Sequence, residues 1–202
     1  MTNIQIRIPV WLDFIFTLPL LTCRLLRYGY AFRKIYLGQQ QWTIVDLKDY
    51  YRLGNTNWYL VGKKTRVYAA HNVKSGDTII QVRLHRDIMN APPDLFVDHI
   101  NGDGLDNRRA NLRLATHTQN MHNCRKRKNT TSQYIGVHLD KKRNRWGTSI
   151  MNDRKKLHLG RFISEIEAAR AYDRAVLKYR GDFARLNFPR EDYKDEIQNM
   201  KG

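Results

Sequence analysis

One stretch constrains the fold more than any other part of the sequence: VDHINGDGLDNRRANLRLATHTQNMHN, from Val97 to Asn123. A short apolar run starting at Leu95 leads into it. A segment rich in Asn, Gly and Asp, which favours a turn, separates that run from a second one at Leu112–Ala115. Thr116 and Gln119 then form the T-x-x-Q pattern of a capped helix N-terminus. The pattern therefore predicts a strand, a long turn, a second strand and a helix.

This order of elements brings an acid, an imidazole and an amide together. Asp98 and His99 end the first predicted strand, and Asn120 lies on the helix that we expect to pack back over it. A neutral imidazole can take a proton from water near neutral pH, and carboxylate and amide oxygens bind a hard divalent ion such as Mg²⁺. These residues therefore predict a general base and a metal ion acting on a phosphodiester. The alternative is a surface hairpin with a capped helix, and we assign Asp103 and Asp106 to stabilising the turn.

The same stretch resembles the HNH endonuclease motif, in the form found in phage and intron-type homing endonucleases. The matching residues are Asp98-His99-Ile100-Asn101-Gly102, Leu105-Asp106-Asn107, Asn111-Leu112-Arg113, Thr116 and Asn120. The resemblance implies a ββα-metal nuclease motif in which His99 is the general base and Asn111 ties the turn together. It also implies that Asp98 and Asn120 hold the metal ion, for which we expect Mg²⁺ or another divalent cation.

The charge of the chain predicts a polyanionic partner. Lys and Arg number 36 against 19 Asp and Glu, which gives a formal net charge of +17. Because neutralising phosphates releases counterions, nucleic acid is the first expectation and an anionic membrane surface the second. The two cysteines, Cys23 and Cys124, lie far apart and match no metal or redox pattern, which favours a reducing, cytoplasmic location and gives no support for a disulfide framework or a thiolate-bound zinc. We expect no small-molecule cofactor.

Residues 1–35 form an apolar and basic N-terminal extension, for which we predict a helix. The run from Val10 to Cys23 is strongly apolar, but it is short for a membrane span and is interrupted by Asp13 and Pro19. It also lacks the basic start and the cleavage site of a signal peptide. We expect its apolar face to pack on the rest of the protein. The alternatives are export or membrane insertion, and a DNA-facing edge formed by the arginines that follow.

Residues 36–123 make up the predicted nuclease domain, with its core motif at 95–123. Between residues 36 and 85 the chain alternates short runs rich in β-branched and aromatic residues with Gly, Asn and Ser turns. This alternation predicts a small antiparallel sheet that supports the site. His85 ends the region and has two candidate roles: a contact to the site or to a phosphate, or a structural cap on a strand end.

A basic segment at 124–132 separates this domain from a second unit at 133–189. Because the segment follows the nuclease motif, we expect its cations to contact the DNA backbone through Arg125, Lys126, Arg127 and Lys128. The second unit shows three strand patterns, then a capping box at 164–167 and apolar residues at helical spacing. These patterns predict three antiparallel strands covered on one face by one helix, and the polar residues 190–202 predict a frayed tail.

The second unit resembles the plant ethylene-response-factor (apetala-two type) DNA-binding domain. The matching words are Tyr-x-Gly-Val at 134–137, Leu-Gly-x-Phe at 159–162, Glu-Ala-Ala-x-Ala-Tyr-Asp at 167–173 and Leu-Asn-Phe-Pro at 186–189. The resemblance implies that the open face of the sheet lies in the DNA major groove. The positions expected to contact DNA are His138, Arg143, Arg145, Trp146, Ser149, Met151, Lys156 and His158, where Trp146 has the alternative of a core position under the helix. Several of them depart from the Arg, Glu and Trp of the plant proteins, which implies more backbone contact and a different target.

Together these observations predict an α+β protein. It has an N-terminal helix and a small antiparallel sheet, a ββα-metal nuclease motif, and a separate three-stranded sheet packed on one helix. The predicted function is a metal-dependent endonuclease that hydrolyses phosphodiester bonds in duplex DNA, with a C-terminal recognition domain; the resemblance implies a bacterial or phage-encoded protein. One site per chain implies nicking of one strand unless two copies act as a homodimer. The alternative is a non-catalytic, sequence-specific DNA-binding transcription regulator that retains the motif as a scaffold.

Overall fold

The computed structural model describes residues 10–63, 66–122, 130–152 and 155–199, and its fold mixes helices with several small sheets, in agreement with the predicted α+β class. The chain divides into two compact units, one up to Leu114 and one from Ala115 onward. The division lies before the helix of the predicted nuclease motif rather than after it, because that helix contacts the 3-10 turn Gly181–Phe183 of the second unit.

The first unit alternates short helices with short strands. Its elements are α1 (Val10–Tyr28), β1 (Arg33–Tyr36), β2 (Trp42–Val45), α2 (Leu47–Leu53), β3 (Tyr59–Lys63), β4 (Arg66–Ser75), β5 (Thr78–Arg83), α3 (Leu84–Met89), β6 (Phe96–His99) and a 3-10 turn (Arg109–Asn111), followed by β7 (Leu112–Ala115). Strands β1 and β2 pair, β3, β4 and β5 form an antiparallel sheet in that order, and β6 pairs with β7. The predicted small sheet before the motif is therefore confirmed.

Strand β6, which ends in the Asp98-His99 pair, rests on a packed support. Helix α3 packs against β4, β5 and β6, and the apolar core of the unit includes Val97 of β6 and Leu112 of β7. The other buried members of this core are Ile35, Leu37, Val45, Leu53, Trp58, Ala69, Leu84 and Ile88. Full burial of such a side chain contributes about 1.5–3 kcal/mol, so Val97 and Leu112 hold both strands of the motif against the core.

Polar contacts of Asp13 attach helix α1 to the first unit. The Asp13 carboxylate accepts hydrogen bonds from Arg33 Nη1 at 3.0 Å and from the Tyr51 hydroxyl at 2.9 Å. Leu21 is buried, but Phe16 and Leu26 are 72% and 82% exposed, so the expectation of a packed apolar face is met only in part. None of the helices in the described ranges is long and apolar enough to cross a membrane.

The second unit is a three-stranded sheet with a helix on one face. Its elements are α4 (His117–His122), β8 (Val137–Asp140), β9 (Arg145–Asn152), β10 (Lys155–Phe162), α5 (Glu165–Arg180), 3-10 turns at Gly181–Phe183 and Arg190–Tyr193, and α6 (Lys194–Asn199). The antiparallel sheet has the order β10-β9-β8, and α5 packs on all three strands. Ser164 caps α5 by accepting a hydrogen bond from Ile166 N at 3.2 Å, and α5 ends at Arg180, with Gly181 as its C-cap. The predicted sheet and helix are confirmed.

Residues 190–199 are not the frayed tail that their polar composition predicts. Tyr193 is only 1% exposed, and its hydroxyl donates a hydrogen bond of 3.0 Å to Asp173 on α5. Arg174 of α5 also forms an ion pair with Glu196 at 2.9 Å. A single buried tyrosine therefore docks the segment on α5, and the composition of the remaining residues hides this anchor.

Candidate functional site

The Asp98-His99 pair lies at the buried end of β6. Asp98 is 5% and His99 is 6% exposed, although both side chains are polar. Burial of such groups costs free energy unless they form hydrogen bonds or ion pairs, so the partners of Asp98 and His99 are part of the site. Their partners come from the turn and the strand that follow β6, and from β4 and α3.

The His99 imidazole is oriented by Asn107, which lies in the turn. The two side chains meet at 3.2 Å between His99 Nε2 and Asn107 Oδ1. The Asn107 amide group donates to the Thr43 hydroxyl at 2.8 Å, and this hydroxyl donates to the Leu105 carbonyl at 2.8 Å. Because Asn107 uses its NH₂ group on Thr43, its oxygen faces the imidazole, and His99 Nε2 must carry the ring proton. The neutral ring then has its lone pair on Nδ1, the nitrogen that can accept a proton.

The environment of His99 favours the neutral form that a base requires. Burial lowers the pKa of His99, while the hydrogen bond to Asn107 and the charges of Asp98, Asp103 and Asp106 act in the opposite direction. Because burial is the largest of these effects, the net pKa lies below the ordinary value for histidine. The imidazole is therefore unprotonated near neutral pH.

The carboxylate of Asp98 is held by Arg113 from β7. Arg113 Nε and Nη2 both donate to Asp98 Oδ2, at 2.9 and 2.6 Å. A guanidinium that binds one oxygen with two nitrogens fixes the direction of the carboxylate and balances its charge in a buried position. Arg113 was not predicted as a site residue, since its role depends on the pairing of β6 with β7.

Asn111 links the two ends of the long turn. Its Nδ2 donates to the Asp106 carbonyl at 2.8 Å and to Asn101 Oδ1 at 3.0 Å, and its Oδ1 accepts from Asn101 N at 3.0 Å. The Asp106 carboxylate binds Arg108 at 2.6 and 2.7 Å, and Asp103 Oδ1 accepts from Leu105 N at 3.0 Å. These contacts are the ones that a turn-holding role for Asn111 requires, and both aspartates stabilise the turn as expected.

The turn is also docked on neighbouring strands of the first unit. Ile44 N of β2 donates to the Leu105 carbonyl at 2.9 Å, and Asn107 N donates to the Ile44 carbonyl at 2.8 Å. On the β4 side, a Cβ at Gly104 would lie 2.2 Å from the Val67 carbonyl oxygen and 2.7 Å from the Tyr68 ring. Glycine is therefore required at position 104 for the turn to approach β4 this closely.

The predicted capping box of α4 is confirmed, and it places Asn120 in the first turns of that helix. Thr116 N donates to Gln119 Oε1 at 2.9 Å, and Gln119 N donates to Thr116 Oγ1 at 3.3 Å. Asn120 belongs to the second unit, so its pairing with Asp98 around a metal ion stays a prediction. The described residues contain no cluster of three or more His, Cys, Asp or Glu side chains that could hold a metal ion. A carboxylate and an amide oxygen fit a Mg²⁺ ion that keeps several waters.

The open face of the second unit carries most of the predicted DNA-contacting residues. Side chains of neighbouring strand residues alternate between the two faces, and the register pairs Ser149 with His158 and Met151 with Lys156. The alternation places His138, Arg145, Ser149, Met151, Lys156 and His158 on the face away from α5. Arg143 lies in the exposed turn between β8 and β9, and Arg125, Lys126, Arg127 and Lys128 lie outside the described residues.

Trp146 is a correction to the predicted set. It packs with Phe162 against Val137, Ala168 and Ala169, on the face that α5 covers. The alternation along β9 gives the physical reason, since the flanking Arg145 and Gly147 face the other way. Trp146 therefore belongs to the core and does not contact DNA from the open face.

Arg161 is a further residue of the open face, and the sequence pattern did not identify it. The register of β10 shifts between His158 and Gly160, so Arg161 pairs with Gly147 instead of facing α5. Arg161 Nε donates to Asp140 Oδ2 of β8 at 3.2 Å, so this exposed contact joins the two outer strands across β9. A strict alternation along β10 would have placed Arg161 in the core, and only the bulge reverses it.

Comparisons with known proteins find two different similarities. Residues 90–122 match the family model of the HNH endonucleases. A 71-residue part of the chain, 35% of its length, is 42% identical to APETALA2-like protein 2 of Oryza sativa subsp. indica and covers 16% of that protein. A 70-residue part, also 35% of the chain, is 41% identical to the AP2-like ethylene-responsive transcription factor TOE2 of Arabidopsis thaliana and covers 14% of it. A 59-residue part, 29% of the chain, is 46% identical to an AP2/ERF and B3 domain-containing protein of Oryza sativa subsp. japonica and covers 16% of it.

Each similarity therefore concerns a segment rather than the whole protein. The chain spans about a sixth or less of the length of these plant relatives. The matched HNH segment contains Asp98, His99, Asn107 and Asn111, together with Asn120.

Proposed function

We propose that the protein is a metal-dependent DNA endonuclease of HNH type whose second unit recognises duplex DNA. The observation that carries the proposal is the buried His99 at the end of β6, whose imidazole is oriented by the contact of its Nε2 with Asn107 Oδ1. The match of residues 90–122 to the HNH endonuclease model and the net charge of +17 support it.

In the proposed reaction the chain supplies a base and two metal ligands. His99 Nδ1 takes a proton from water while Asn107 holds the ring, and the water oxygen forms a bond to phosphorus as the 3′ oxygen leaves. Asp98, directed by Arg113, and Asn120 would hold the divalent ion. A bound Mg²⁺ neutralises the phosphate and stabilises the charge on the leaving oxygen.

The second unit supplies affinity and target choice in this proposal. We assign the plant similarity to residues 133–189, which contain the matching words and fold as a sheet with one open face. Lys156, Arg145 and Arg161 on this face suit phosphate contacts, while few of its side chains offer the bidentate guanine contact of arginine. One nuclease site per chain gives nicking, and cutting of both strands then requires two copies. A cytoplasmic, bacterial or phage setting is part of the same proposal.

A second candidate function is a DNA-binding transcription regulator without nuclease activity. The observation in its favour is that the TOE2 relative is named as a transcription factor. The two candidates share DNA binding and differ in hydrolysis, so an activity assay separates them.

The experiment that tests the proposal is nicking of supercoiled plasmid by the purified protein, with Mg²⁺ or with EDTA. The nuclease proposal expects Mg²⁺-dependent nicking that Asp98→Asn strongly reduces, because the amide keeps the volume of the carboxylate and loses its charge. His71→Ala is the control, since the His71 ring packs on the Trp58 ring, with 4.5 Å between the ring centroids, and has no part in the proposed reaction. DNA binding without nicking, across divalent metals and DNA sequences, would favour the regulator.

A further inference from the structure

A second buried histidine, His85, lies directly against His99. It belongs to α3, is 4% exposed, and its ring meets the His99 ring at 5.0 Å between centroids with an interplanar angle of 84°. Tyr68 of β4 closes the group, at 5.3 Å from His85 and 6.0 Å from His99. In this three-ring cluster of Tyr68, His85 and His99, the proposed base His99 packs against two side chains from outside the motif.

His85 carries a polar atom that packing does not explain. Its Nδ1 is buried and has no hydrogen-bond partner within the described ranges of the chain. A buried nitrogen in this state costs about 1–3 kcal/mol, so a purely structural position would be filled better by phenylalanine. An unsatisfied group of this kind calls for a role in the working state of the protein.

The imidazole of His85 is neutral in these surroundings. Burial, together with the nearby His99, Arg83 and Arg86, lowers the pKa of His85 to about 3. A neutral imidazole can accept a hydrogen bond at one nitrogen and adds no positive charge beside the base.

We propose that His85 is a further functional residue of the nuclease site, whose Nδ1 accepts a hydrogen bond from the water molecule that His99 deprotonates. The inference rests on the proposed nuclease function. The water has two hydrogens: one is directed to His85 Nδ1 and stays on the water, and the other is transferred to His99. The contact between the two rings places His85 beside the proposed base, so in this proposal a water molecule that both imidazoles bind has a fixed orientation for attack.

Two substitutions separate this role from a structural one. His85→Phe keeps a flat ring against His99 and removes the unsatisfied nitrogen, so it raises the urea midpoint of unfolding. It also lowers the single-turnover rate of plasmid nicking at saturating protein by tenfold or more, with DNA affinity unchanged. His85→Asn places an amide atom near the position of Nδ1 and recovers part of the rate. A structural histidine predicts that stability and rate change in the same direction, whereas the proposed role predicts opposite directions.

The outcomes are distinct. A His85→Phe protein that nicks at the rate of the unsubstituted protein overturns the role of His85, while the nuclease function stands. A slow His85→Phe protein that is also less stable assigns His85 to packing and overturns the role as well. If the unsubstituted protein does not nick DNA with any divalent metal, the nuclease function itself fails and the role of His85 fails with it.

Discussion

Asn107 offers the sharpest test of how the site is held together. Asn107 is fully buried and bonds to His99 at 3.2 Å, to Thr43 at 2.8 Å and to the Gly104 carbonyl at 3.3 Å. Asn107→Leu keeps a similar volume but leaves His99 Nε2 and its other partners unpaired in the interior. At about 1–3 kcal/mol for a buried group without its partner, we expect a decrease of about 2–4 kcal/mol in the free energy of unfolding.

The same substitution has a separate effect on the reaction. The Asn107 oxygen accepts a hydrogen bond from a ring that becomes cationic as it takes the proton. Hydrogen bonds to charged groups contribute about 1.5–3 kcal/mol, which corresponds to a rate lower by about 10- to 150-fold. Asn107→Asp is the matched variant, because it keeps an oxygen toward His99 and loses the donor to Thr43. We therefore expect both variants to lose stability and Asn107→Leu to lose far more nicking rate.

Urea unfolding and single-turnover nicking of an end-labelled duplex measure the two effects in parallel. The reasoning is refuted if Asn107→Leu, at a temperature where it is folded, nicks as fast as the unsubstituted protein. Equal losses of rate in the two variants would also contradict it, because the loss would then follow stability and not the hydrogen bond to His99.

Three further predictions concern other parts of the chain. Gly104→Ala places a Cβ 2.2 Å from the Val67 carbonyl oxygen, so we expect a decrease of about 1–3 kcal/mol in the free energy of unfolding by urea. The Asp173 carboxylate accepts hydrogen bonds of 2.9 to 3.0 Å from N–H and O–H donors, and Asp173→Asn would set an amide group against these donors. We expect a decrease of about 1–3 kcal/mol in the free energy of unfolding of the second unit, measured by urea unfolding. Replacing Lys156 and Arg161 by alanine should weaken DNA binding and reduce the slope of log K against log salt by about 0.9 for each phosphate that is no longer neutralised, as fluorescence anisotropy at several salt concentrations would measure. An unchanged slope would contradict the proposal that the open face of the sheet contacts DNA.

The parts of the site that follow from local sequence were predictable. The capping box depends on Thr116 and Gln119, which are three residues apart, and both bonds are present. Asp98 and His99 come at the end of a strand because a short apolar run leads into them. Such features require only neighbours along the chain.

The parts of the fold and of the site that depend on contacts between distant residues could not be predicted from the sequence. Asn107 orients His99 because Thr43, 64 residues away, accepts from its amide, and the turn composition gives no sign of that partner. The bulge in β10 reverses the face of Arg161, and its signal is a glycine at position 160 that also fits the family pattern. Residues 190–199 are anchored by one buried residue, Tyr193, and by ion pairs such as Arg174–Glu196, so their average polar composition predicts the wrong state.

The central claim is that His99 is the general base of a nuclease site, and the most direct measurement compares His99→Ala with the unsubstituted protein. DNA binding and Mg²⁺-dependent nicking are measured on the same samples, with His71→Ala as control. We predict that His99→Ala binds DNA with unchanged affinity and nicks it at least about 100-fold more slowly, the range expected for loss of a general base. Nicking by His99→Ala at the rate of the unsubstituted protein would contradict the claim.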